Sequence, residues 1–354
     1  MREKKVRLTK AQHRTRVEQL IDQMKGSAGN DYRNAEDLRM KLHRALVSWA
    51  KEDLQAASDF IEGSELGRKG NFWMTGMLAS LAETDALLAF SHGLKLNTAD
   101  NRYAVQPSGL LKIATLHLGP EEVIAAMDQK RLVGSVYEEN CLFPDDKNLQ
   151  KIADAILAKY RAAVANGEKW QPTVAPKNFV STWAAKDAPA AFAYCVAMNE
   201  LQDEEPGKEF IGYALGITNG PREEAQNAIN TLLMDKKLNF DRNHLAWTFV
   251  TSGAEVATIF LDSLIGIPAE ARDRMGSAAM ERVVHFEMGP QEGEMAACLK
   301  VMASDEARFE AARSAGKRLP QFGAEAVKHL RDMGYSESVI SEIIPSGGSS
   351  PPPP

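Results

Sequence analysis

The chain has 354 residues, 44% hydrophobic and 25% charged, a balance that supports a large buried core. Its formal net charge of −6 disfavours a protein that grips nucleic-acid backbone broadly. Three dispersed cysteines, Cys141, Cys195 and Cys298, with no C-x-x-C, argue against a disulfide framework and a cysteine-built zinc site.

The start is basic, with seven Lys or Arg by Arg16. Val17, Leu20, Ile21 and Met24 then fall at helical spacing, so residues 1–30 read as a basic N-terminal helix or arm, solvated or frayed. No apolar h-region follows the basic start, and no apolar run approaches the roughly 20 residues of a membrane span. The expected compartment is the cytoplasm, or an envelope scaffold if an export signal has been removed.

From about Ala35 the periodicity is helical almost throughout, and strand-type alternation is nearly absent. A motif recurs within it. Trp49-Ala50-Lys51-Glu52-Asp53 runs into Ala56-Ala57 and Phe60, and Trp183-Ala184-Ala185-Lys186-Asp187 runs into Ala190-Ala191 and Tyr194. Helix breaks are expected at Asp53, Asp85, Pro120, Asp187, Pro221, Gly253 and Pro290, at steps of 32, 35, 67, 34, 32 and 37 residues. The residue types suit the position. Asp is a good N-cap, Pro suits a first helical turn, and glycine suits the helix end just before it, as in Gly119-Pro120 and Gly220-Pro221. Four residues before each break stands an apolar side chain: Trp49, Leu81, Leu116, Trp183, Ile217, Phe249 and Phe286. The long step leaves room for a divergent unit around Phe143-Pro144-Asp145-Asp146 and a helix from Leu149 to Tyr160, and a last break is expected near Gly323. Residues 346–354, rich in Gly, Ser and Pro, read as a disordered tail.

A helix pair of about 33 residues cannot bury its apolar faces alone, and stacking against neighbours does so. The pattern resembles helical-hairpin repeat proteins of TPR-like and HEAT-like kind. It is closer to bacterial proteins built from repeated W-A-x-x-D-P-x-A-A helix pairs, with Leu54 and Ala188 here in place of the proline. The resemblance covers most of residues 35–335 and implies an α-solenoid with a binding or scaffold role; the expected fold is all-α over 31–345, about seven to nine stacked hairpins, curved and right-handed.

No reaction centre stands out. Asp145-Asp146 lacks the third carboxylate of D-D-x-x-D, and no zinc helix, phosphate loop or nucleophile elbow is present. The seven histidines read as structural or surface groups. His92 is set apart by lying seven residues after a break, where Phe60 and Tyr194 are aromatic. Glu138-Glu139-Asn140 with Asp145-Asp146, and Asp203-Glu204-Glu205, read as solvated acidic loops, and no cofactor or metal is expected. The expectation is therefore a non-enzymatic scaffold that binds a peptide or protein on a face lined by the second helix of each pair. Phe60, His92, Tyr194 and Phe260 lie near that face or in the core beneath it. The alternative is a solenoid enzyme or nucleic-acid-binding protein of the HEAT-like glycosylase type.

Overall fold

A computed structural model describes residues 8–26, 32–68, 71–97, 105–129, 137–144, 148–170, 172–201, 207–285 and 293–343. Two compact units divide the chain, residues 1–179 and 180–354. Helices account for nearly all regular structure among the described residues.

The first unit begins with α1 (Lys10–Gly26), α2 (Tyr32–Glu52), α3 (Leu54–Gly63) and a single turn, α4 (Glu65–Arg68). It continues through α5 (Phe72–Leu96), α6 (Pro107–His117), α7 (Pro120–Met127), strand β1 (Tyr137–Glu139), α8 (Leu149–Ala165) and strand β2 (Val174–Pro176). The basic segment is not a free arm over its described part. α1 packs on α2, with His13, Val17 and Leu20 buried. Lys10 pairs with Asp53, and the Arg14 guanidinium lies 5.9 Å from the Phe60 ring centroid.

The expected breaks are real and alike. Asp53 (φ −153°, ψ 89°) separates α2 from α3, and Asp85 (φ −150°, ψ 81°) interrupts α5 in almost the same conformation. Each carboxylate accepts from the amide three residues on, Ala56 and Leu88, both at 3.1 Å. Pro120 opens α7, where the Glu122 carboxylate accepts from the Gly119 N–H at 3.0 Å. These bonds occupy amides that a helix start leaves without an intrahelical partner. α2 and α3 both pack on α5, and contacts then pass from α5 to α6, α6 to α7 and α7 to α8.

The long interval holds the expected helix from Leu149, which runs on to Ala165 as α8, but flanks it with two short strands rather than a second helix of a pair. β1 and β2 pair in parallel, with Tyr137 opposite Val174 and Glu139 opposite Pro176. Parallel strands need a crossover, and α8 supplies it. Glu138 and Glu139 belong to this strand instead of a loop, while Asp145-Asp146 lie outside the described residues.

The second unit opens within α9 (Phe179–Ala184) and continues with α10 (Ala188–Leu201), α11 (Lys208–Ile217), α12 (Arg222–Met234), α13 (Arg242–Thr251) and α14 (Ala254–Asp262). α15 (Ala269–His285), α16 (Glu294–Val301), α17 (Asp305–Arg318), α18 (Pro320–Asp332) and α19 (Glu337–Ile343) complete it. Breaks fall at Asp187, whose carboxylate accepts from Ala190 at 3.2 Å, at Pro221, and at Gly253, whose φ of +99° suits glycine. The expected break at Pro290 with Phe286, the acidic run Asp203-Glu204-Glu205 and the tail 346–354 lie outside the described residues. First helices pack in the order α11, α13, α15, α17, and second helices in the order α12, α14, α16, α18.

The last expected break, near Gly323, is found slightly earlier. The break is at Leu319 (φ −144°, ψ 130°), followed by Pro320 at the start of α18, and Gly323 lies inside that helix. A Cβ on Gly323 would sit 2.8 Å from the Gly316 Cα, so this glycine serves the close approach of α17 and α18.

Candidate functional site

The aromatic residues that mark the motif form one recurring contact. Trp49 meets Phe60 with ring centroids 5.4 Å apart, Trp183 meets Tyr194 at 5.8 Å, and Phe249 meets Phe260 at 5.1 Å. Each pair spans 11 residues across a break. Trp49, Trp183, Tyr194, Phe249 and Phe260 are buried, and Phe60 is half-buried. His92, also half-buried, is hydrogen-bonded to Ser58. The four singled-out residues thus occupy equivalent positions, each packed within its own unit.

In the first unit His13 stacks on Trp49, with planes 9° apart and centroids separated by 6.4 Å. Burial keeps the three thiols inert. The Cys141 pKa is pushed up to about 11 and that of Cys195 well above its ordinary value, both mainly by desolvation; Cys298 follows the same direction. Among the described residues no group of three or more His, Cys, Asp or Glu is placed to hold a metal ion, and no helix is long and apolar enough to cross a membrane.

The second helices of the second unit carry an exposed polar row. Along α12, Arg222, Gln226, Asn230 and Met234 recur every four residues and share one face. Arg222 pairs with Asp262 at the end of α14, and Gln226 donates to the same carboxylate at 2.9 Å. Asn230 donates to the Ser263 and Ile265 carbonyls, both at 2.7 Å. Beside this polar row stand two exposed apolar side chains: Met234 keeps 49% of its accessible surface and Ile265 81%. In the first unit Leu87, 59% exposed, and Leu88 stand in the first turn after the Asp85 break, again on the second helix of a pair.

Sequence reasoning placed a binding face on the second helices but did not single out Met234, Ile265, Leu87 or Leu88. Their signal is exposure, which periodicity alone does not report. Comparison of the chain with protein-family models, with curated proteins and with solved structures gives no match.

Proposed function

We propose that the protein is a helical-repeat interaction scaffold. Within each unit, successive helix pairs stack as an α-solenoid, and the second-helix face holds a peptide or protein segment. The reading is supported by the order of packing, in which first helices meet first helices and second helices meet second helices. The observation that carries the binding role is the α12–α14 edge. There a row of side chains of both charge signs lies beside Met234 and Ile265, apolar groups left open to solvent. Such a surface suits a segment with apolar anchors flanked by polar groups better than it suits the uniform phosphates of nucleic acid.

The test is affinity capture on the full-length chain from native extract, with Met234→Glu/Ile265→Glu in parallel. A partner retained by the wild type and lost by the variant, at unchanged helical content, supports the reading. Identical retention by both chains overturns it.

A further inference from the structure

Seven residues after four of the breaks the chain places a large apolar side chain, Phe60, Met127, Tyr194 or Phe260, and after Pro221 a small one, Ala228. After Asp85 that position is His92. Its Nε2 lies 2.8 Å from the Oγ of Ser58, a fully buried hydroxyl on α3. The Ser58 hydroxyl donates to the Leu54 carbonyl at 2.9 Å, so toward His92 it accepts, and the imidazole carries its proton on Nε2. That polarity rules out an activated serine nucleophile, because the serine proton points away from the ring.

A second pair sits between the first helices. His43 of α2 lies 2.9 Å from the Ser80 Oγ of α5, beside Gly76, where a Cβ would be 3.4 Å from the ring. One bond ties α2 to the first half of α5, and the other ties α3 to its second half. Both layers of the contact between the first two hairpins therefore run through a Ser–His pair.

We propose that these two pairs form an acid-sensitive latch, in which neutral imidazoles hold the first two hairpins together and protonation parts them. At His92 a second proton leaves the Nε2–H bond to Ser58 in place; at either histidine it puts a charge into a half-buried site, a desolvation cost that a neutral hydroxyl offsets only in part. The charged groups that act on His92 are Lys95 on its own helix and Asp59 on α3; of the other elements packed on α5, α6 carries Lys112 and the titratable His117, and α4 carries Glu65, which pairs with Lys25. His43 meets uncharged Ser80 and Gly76 on α5. The charged residues of α1 (Lys10, Arg14, Arg16, Glu18, Asp22, Lys25), those of α2 whose side chains are described (Glu36, Asp37, Arg39, Lys41, Arg44, Lys51, Glu52) and those of the first half of α5 (Glu83, Asp85) are exposed or half-exposed, whereas the titratable His13 of α1 is buried against Trp49 of α2. Burial lowers the pKa of both histidines below the ordinary 6.5; at His92 Lys95 adds to the effect and Asp59 opposes it. The fold favours the neutral form, so the stabilisation is complete above 6.5 and falls away as the pH drops through the lowered folded value.

Hydrogen exchange on the full-length chain at about pH 7.5 and about pH 5.5, corrected for intrinsic exchange, tests this across the histidine range. The latch predicts that α3 and both halves of α5 lose protection in acid while α16 to α18 keep theirs, and that His43→Gln/His92→Gln, which cannot titrate, removes the loss. Unchanged protection of the wild type in acid overturns the proposal, as does an equal loss in the variant. If the variant fails to fold, NMR titration of the wild-type imidazoles decides: both ionising below 6.5 supports the latch, and either ionising at or above it overturns it.

Discussion

Trp183→Ala reads the energetics of the recurring contact directly. The ring keeps 4% of its accessible surface and lies against Tyr194 at 5.8 Å. A buried Trp removes about 200 Å² from water, and about 25 cal/mol per Å² gives roughly 5 kcal/mol as an upper figure. Truncations of this kind cost about 3–5 kcal/mol. In a cycle with Tyr194→Leu the direct ring contact should appear as a coupling of about 0.5–1.5 kcal/mol. Urea unfolding followed by far-ultraviolet circular dichroism gives the energies, and hydrogen exchange gives their location. Packing that passes only between neighbours predicts that α9 to α12 lose protection first while α16 to α18 retain it. A cost below about 1 kcal/mol, far under the range for a buried ring, would refute the reasoning. So would a protection loss spread evenly over residues 180–343.

Two further substitutions probe contacts of other kinds. A Cβ on Gly216 would fall 2.3 Å from the Ser181 carbonyl oxygen and 2.7 Å from the Ala184 Cβ, both fixed parts of α9. Gly216→Ala should therefore destabilise by about 1–3 kcal/mol, and by more than Gly212→Ala, whose new methyl meets the Val180 Cβ at 3.3 Å; thermal unfolding ranks the two. Asp273 accepts from the Ala303 and Ser304 amides at 2.7 and 3.0 Å and so holds the turn between α16 and α17. Burial alone would raise its pKa, but these hydrogen bonds and Arg308 outweigh it and hold the carboxyl below 3.8. Its contribution is present above 3.8 and is lost as the pH falls through the lowered value. Asp273→Asn should accordingly be less stable than the wild type at neutral pH, with the gap closing in acid-unfolding curves.

The break positions were legible because each combines two independent signals. Asp53, Asp85 and Asp187 are cap residues, and each stands four residues after Trp49, Leu81 or Trp183, buried side chains that also shape the periodicity. Gly323 marked the last break only nearby because glycine has two uses; here its missing Cβ serves the approach of Gly316 rather than a helix end. β1 and β2 were invisible because three residues carry no alternation, and what pairs them is the α8 crossover between them. On the candidate face, the sequence pointed to second helices but could not separate Met234 from the buried Leu232 and Leu233 beside it, since hydropathy treats all three alike. The Ser58–His92 pair was half legible. His92 stood out against Phe60 and Tyr194, but its partner lies 34 residues away, on the neighbouring hairpin.

The claim beneath this account is that Asp53, Asp85 and Asp187 mark the same hairpin turn. Proline in place of Leu54, Ala86 or Ala188 tests it most directly, because each is the first helical residue after a capping Asp, where no amide partner is required. Ala86 is decisive, since α5 otherwise runs unbroken from Phe72 to Leu96. Thermal unfolding should show all three variants as stable as the wild type or more so, by up to about 1 kcal/mol. A loss near the roughly 3 kcal/mol of proline inside a helix, at any one of them, would contradict the shared turn.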